Sequence, residues 1–248
     1  MTTTRLLRAE FRKLTTTKLP WGFLAVLVVI AALDAAVVAF GTDMDGSKTF
    51  LATAADQQSL MAFGFNAMLG TSLFGAIAVA REYGHHTVVP TFLMTPRRHL
   101  AIFAQLTAVA GAGAVLALAG QALVIAGVAL ALPSTEHGLL VSAGALAQLL
   151  AAATLAGAIG ATLGAGLGSL LRNTGGAVTT AVLLLFVIPP LTVQLATDAA
   201  SWIPTTLFAV ISGVSADVSL WAALIAAALW ALVPATAGLV AVQRRDVV

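Results

Sequence analysis

The chain has 248 residues, 60% of them hydrophobic and only 9% charged, with a formal net charge of +2 and a mean hydropathy of +1.01. Soluble domains carry about 25% charged residues, so there is too little charge here to coat a water-facing globule, and the composition describes a protein whose solvent is lipid. The basic residues form short clusters between apolar stretches, which offers no contiguous face to a nucleic acid; the lack of cysteine excludes disulfides, thiolate catalysis and cysteine-bound metals.

Residues 1–18 come first. Leu7, Phe11 and Leu14 recur at i, i+4 and i+7, while Arg5, Arg8, Arg12 and Lys13 take other faces. The pattern predicts a basic amphipathic helix in the membrane interface; residues that only set topology would show the same cations. The apolar stretch that follows is longer than the roughly 7–15-residue core of a signal peptide, and no small-x-small site closes it, so an uncleaved first span is expected.

A crossing needs roughly 20 mainly apolar residues, and six stretches supply them: 19–41, 58–80, 99–132, 139–171, 175–196 and 219–242. The predicted fold class is therefore all-α, a six-span polytopic membrane protein in one transmembrane domain over 1–248. The third and fourth stretches are each over 30 residues and must tilt, bend or protrude. Eleven of the twelve lysines and arginines fall on the side of the two termini, and Lys48 alone falls on the other, among Asp43, Asp45, Asp56, Glu136, Asp198 and Asp217. The positive-inside rule then places both termini in the cytoplasm.

Two connecting segments are more than linkers. The loop 81–98, REYGHHTVVPTFLMTPRR, carries Val88, Val89, Phe92 and Leu93 on one helical face, and Thr95-Pro96 supplies an N-cap and N1 pair for the third span. A protein partner or the membrane surface would bury that face. Segment 198–217 contains Trp202, Ile203, Leu207, Phe208, Val210 and Ile211 but is too short to cross twice, which fits a re-entrant or interfacial helix on the outer side, or an apolar lid.

No phosphate-binding loop is encoded, because Lys13, Lys18 and Lys48 follow Arg12, Thr17 and Ser47 rather than glycine. Any nucleotide that drives this protein must bind another chain. His85-His86 has no neighbour at ligand spacing. Asp34 lies inside the first span, where a carboxylate costs roughly 2.5–3.5 kcal/mol; substrate or proton handling is one reading, and a wetted residue near the outer interface is the other. In the second span Met61, Phe65, Met68 and Ser72 share a face beside Phe63, Asn66, Gly70 and Phe74, which suits either a loosely selective apolar cavity or ordinary helix packing. The stripe Gly160, Gly164, Gly168 in the fourth span, with Gly113, Gly120 and Gly127 in the third, predicts close packing of these two spans. Pro189-Pro190 predicts a break or kink in the fifth.

Together these features resemble the ABC-2 type permeases, the transmembrane subunits of ATP-driven exporters whose ATPase is a separate polypeptide. The opening Arg8-Ala9-Glu10-Phe11-Arg12-Lys13-Leu14 looks like the family's E-x-x-K start with Trp21 following. Glu82-Tyr83 through Thr87, then Thr95-Pro96-Arg97-Arg98, looks like its cytoplasmic E-x-x-x-G-T and P-x-R/K signature, with His86 where the family has glycine. The resemblance implies the permease fold in a bacterial plasma membrane. It also implies that 81–98 is a coupling helix whose Glu82, Thr87, Phe92, Arg97 and Arg98 contact the ATPase. Two ATPase copies would bind ATP and magnesium, leaving no cofactor and no catalysis in this chain. A second permease copy, identical or related, would complete a cavity to which Asp34, Met61, Phe65, Asn66 and Met68 contribute. The cargo would be an amphiphilic drug, antibiotic, peptide or lipid-like molecule. The competing expectations are an ion-coupled secondary transporter using Asp34 and a non-transporting membrane assembly protein.

Overall fold

A computed structural model describes residues 3–43, 46–64, 67–84 and 98–244, and every regular element among them is helical. In chain order they are α1 (Thr3–Thr16), α2 (Leu19–Phe40), α3 (Ala54–Gly64), α4 (Ala67–Gly84), α5 (Arg98–Ala131), α6 (Ala143–Leu171), α7 (Thr174–Val182), α8 (Ile188–Leu195), α9 (Thr197–Ala200), α10 (Pro204–Ile211) and α11 (Leu220–Arg244). Six helical stretches are long and apolar enough to cross a membrane: Leu19–Phe40, Ala54–Gly84, His99–Ser134, Ala143–Leu171, Thr174–Leu195 and Leu220–Arg244. Their outward faces carry large apolar side chains such as Val29, Leu33, Phe103, Leu130, Trp221 and Leu229, the pattern of a surface solvated by lipid. The chain has the architecture of a multi-pass membrane protein.

Helix α6 is the hub, packing against α4, α5 and α11, while α2 lies on α5 and α7 on α4. In lipid no hydrophobic force drives helices together, so association depends on close van der Waals approach. The glycines of α6 permit that approach on three sides. A Cβ at Gly160 would strike the Met68 carbonyl, one at Gly164 the Ser72 carbonyl, and one at Gly168 would come within 3.0 Å of the Ala76 carbonyl, all on α4. Gly157 faces Gly113 of α5, and a Cβ at either would come within 2.6 Å of the other's carbonyl oxygen. Gly166 lies 2.7 Å by the same measure from the Pro234 carbonyl of α11.

The third and fourth spans pack closely, as their glycines predict, with Gly113 of α5 meeting Gly157 of α6. Gly127 meets the Ala31 carbonyl of α2, and the Gly160, Gly164, Gly168 stripe itself packs on the second span. The reason is that α4 presents its own small stripe, Ser72, Ala76 and Ala80, at the same four-residue spacing.

The prolines of the fifth span leave it continuous. Pro189 and Pro190 lack the N–H groups an α-helix would use, and the helix answers with a π turn over Leu183–Val187, in which the Ile188 N–H bonds the Leu183 carbonyl. Pro234 is likewise accommodated inside α11.

The end of the bundle away from the termini is stitched by amides. Gln57, fully buried, donates to the Leu51 and Gly138 carbonyls at 3.1 and 2.9 Å and accepts from Leu140 N at 3.0 Å. Gln58 and Gln148 donate to the Ser212 and Ile211 carbonyls at the end of α10, at 3.0 and 3.2 Å. Trp230 Nε1 donates to the Trp202 carbonyl at 3.0 Å. Segment 198–217 is thus a packed cap with Leu207 fully buried. Lys48 caps α2 by donating to the Val38 and Ala39 carbonyls at 2.9 and 2.7 Å, as a cation at a helix C-terminus should.

Gly164→Leu should lower the stability of the detergent-solubilised protein by about 1–3 kcal/mol or abolish a monodisperse fold, because backbone fills the space. Gly144→Ala, where the nearest atom is 3.9 Å away, should leave the thermal midpoint unchanged. Equal midpoints for both variants would refute the packing account.

Candidate functional site

The termini-bearing end is organised by charge. Helix α1 buries Leu6, Glu10 and Leu14 at four-residue intervals, so a carboxylate occupies the centre of its inward face. Phe11 lies across Gly111 of α5, 3.1 Å from where a Cβ would stand. The helix is therefore seated on α5, and its exposed face carries Arg5, Arg8 and Arg12.

Lys13 closes the seat. Its Nζ lies 2.7 Å from Glu10 Oε1 and 3.5 Å from Glu82 Oε2, the latter in the last turn of α4. Gln105 of α5 also reaches the Glu82 carboxylate. Burial alone would pull the lysine's pKa down, but the Glu82 and Glu10 carboxylates outweigh it and raise the group above its ordinary value. One cation between two carboxylates joins α1 to α4, and Gln105 ties α5 to the same carboxylate.

Beside it, Tyr83 lies buried on α4, and the Arg172 guanidinium stands over its ring at 5.4 Å from the centroid. Arg172 ends α6 in the left-handed region with φ 52°, its N–H bonding the Gly168 carbonyl. That conformation costs a non-glycine residue roughly 1–2 kcal/mol, and it allows a two-residue turn, since Asn173 at once caps α7 by accepting from Gly176 N at 2.8 Å. Val242 of α11 joins Leu14 and Tyr83 in one apolar cluster. The start of the chain and the ends of α4, α6 and α11 therefore meet at one end.

Of the sequence-predicted coupling residues, Glu82 is placed here with its carboxylate held inside the chain. Thr87, Phe92 and Arg97 lie outside the described residues, as do His85-His86 and the side chain of Arg98, whose backbone opens α5. Of the pathway residues, Met61 and Met68 are buried in the main core among Leu51, Val124 and Ile159. The Met61 carbonyl accepts from Gln121 Nε2 at 2.9 Å. Phe65 and Asn66 lie outside the described residues. Asp34 is half-buried on α2, and its Oδ2 is shielded from solvent with no hydrogen-bond partner.

Tyr83, Gln105 and Arg172 join the site beside Lys13, the lysine of the E-x-x-K opening. A sequence signal was present only for Lys13, which repeats the i, i+3 spacing from Glu10. Gln105 and Arg172 reach the site from helices far along the chain. Among the described residues no three His, Asp or Glu side chains gather as a metal site. Compared with models of known protein families and with curated proteins, the chain matches none.

Lys13→Ala should destabilise the protein by about 1–3 kcal/mol by leaving buried carboxylates unpaired, and Lys13→Arg should restore most of that. Since the folded-state pKa of Lys13 is raised, its contribution is fully present below the ordinary lysine value near 10.5 and is lost as pH climbs through the raised one. Thermal midpoints from pH 7 to 12 should show this alkaline fall, and Lys13→Ala should lack that component; identical profiles would show that the cluster contributes nothing.

Proposed function

We propose that this chain is the membrane-spanning subunit of an ATP-driven exporter of the ABC-2 type, with ATP and magnesium bound by a separate ATPase. The observation that carries the reading is the Glu10–Lys13–Glu82 cluster. It joins the two segments whose residues resemble that family, the E-x-x-K opening and the start of the 81–98 loop, although 69 positions separate Lys13 from Glu82. Such a joint is what a coupling device requires. A push on the loop reaches α4 through Glu82 and Tyr83, α1 and α5 through Lys13 and Gln105, and α6 through Arg172.

In this reading both termini face the cytoplasm of a bacterial cell, and two copies of the permease, or this chain and a related one, work with two ATPase copies. Nucleotide closes the ATPase pair and shifts the loops, favouring an outward-open arrangement by its differential affinity for the two states. The cargo in this reading is an amphiphilic drug, peptide antibiotic or lipid-like molecule, as the resemblance implies.

Affinity purification of the tagged chain in mild detergent should recover a soluble ATPase with a phosphate-binding loop in equal amount. Glu82→Arg, which sets a second cation against Lys13, should release that subunit or abolish substrate-stimulated hydrolysis. A well-folded preparation that recovers no ATPase would overturn the reading.

A second reading has one observation in its favour, the unpartnered Asp34 oxygen inside α2. An intramembrane carboxylate is a feature of ion-coupled transport. On that reading Asp34→Asn abolishes transport and a protonophore stops it at full ATP; on the exporter reading transport follows ATP and survives the protonophore.

A further inference from the structure

A cleft of about 420 Å³ opens between the start of α2 and the end of α4, lined by Lys18, Leu19, Gly22, Phe23, Val26 and Arg81. Its two cations are at one end and its apolar residues at the other. Lys18, Gly22 and Val26 follow one another at four-residue intervals, so they form a single stripe on α2 that runs roughly 12 Å from the charged end toward the membrane interior. A Cβ at Gly22 would meet nothing within 4 Å, so the middle of the stripe is open. Phe23 forms the wall, braced edge-on by Phe74 of α4 with ring centroids 5.5 Å apart.

Lys18 is exposed and Arg81 half-buried. Among the described residues no carboxylate forms an ion pair with either; the ion pairs found at this end both belong to Lys13. Arg5, Arg8 and Arg12 are exposed on neighbouring α1 and add to the positive field. A ligand that fits must be negative where Lys18 and Arg81 stand and apolar where Gly22 and Val26 lie. A soluble phosphate satisfies only the first requirement. A zwitterionic lipid brings its own ammonium group into a field of cations.

We propose that this cleft seats one anionic phospholipid, its phosphate held by Lys18 and Arg81 and an acyl chain lying along Gly22 and Val26. The lipid would pin α2 to the end of α4, just where the 81–98 loop departs, and so stiffen the stem of that loop. The proposal rests on the membrane-spanning architecture and needs no ATPase partner.

Native mass spectrometry of the purified chain, titrated with dioleoyl phosphatidylglycerol or phosphatidylcholine, tests it. One phosphatidylglycerol should bind at least about tenfold more tightly than phosphatidylcholine. Lys18→Gln with Arg81→Gln should erase that preference. Gly22→Phe should weaken phosphatidylglycerol binding about tenfold with both cations intact; because Gly22 faces open space, that variant keeps the test valid if the double variant folds poorly. Excess glycerol 3-phosphate should not displace the lipid. Equal affinity for the two lipids, a preference that survives the double substitution, or displacement by glycerol 3-phosphate would each overturn the proposal. A chain that retains phosphatidylglycerol yet recovers no ATPase would sink the exporter reading alone.

Discussion

Everything in this molecule depends on how closely α6 lets its neighbours approach. Lipid tails solvate leucine as well as another helix does, so burial of apolar area gives these helices no net reason to associate. What remains is dispersion, of which a gap of roughly 0.5–1 Å forfeits about a quarter to a half, and the glycines of α6 remove the side-chain atoms that would hold α4, α5 and α11 at arm's length. Gly160, Gly164 and Gly168 press on one partner, Gly157 on a second and Gly166 on a third. The hub is therefore closely packed in a way that a leucine-rich helix could not reproduce. The position of α4, and with it Glu82 and Tyr83, follows from that packing.

At the termini-bearing end a second kind of interaction takes over. Lys13 sits between Glu10 and Glu82 where only the lysine has substantial access to water. A cation so placed holds its helix in one rotational setting, because rotating α1 by one residue, about 100°, would carry Glu10 out of the seat. The π–cation contact of Arg172 with Tyr83 brings α6 into the same junction, with a strained left-handed residue as the cost of the short turn into α7. Strain of this kind persists only where its surroundings over-determine it, and here the surroundings are Tyr83 on one side and the α7 cap on the other.

The six apolar stretches were legible in the sequence because a membrane imposes a length and a polarity on each, and the helices fall where hydropathy puts them to within a few residues. Partners were less legible. The stripe of glycines on α6 is plain, but small residues abound on α4, α5 and α11 alike, and nothing local says which of them the stripe will face. The amphipathic pattern of α1 was readable from Leu7, Phe11 and Leu14, yet the face that is buried is Leu6, Glu10 and Leu14, with Phe11 partly exposed. Glu10 is in fact turned inward, since its partner Lys13 lies one turn away and the other carboxylate, Glu82, arrives from a distant helix. Met61 and Met68 illustrate the opposite ambiguity: a flexible apolar face suits a cavity and a core equally, and within this chain they are core.

The two ends of the bundle are held by different chemistry, and the difference has a consequence for motion. On the far end the amides of Gln57, Gln58 and Gln148 bond main-chain atoms, and breaking those of the fully buried Gln57 leaves a buried polar group unsatisfied. Neutral and directional, these bonds respond little to an approaching charge. The near end is held by a lysine with access to solvent and an arginine stacked on a ring, interactions that a charged surface brought alongside would perturb through the Coulomb term. On the coupling reading proposed above, a subunit docking there would act on the softer joint while the far end kept its shape, and movement would begin as a rotation of α1 and the end of α4 about a hub that glycine contacts keep in register.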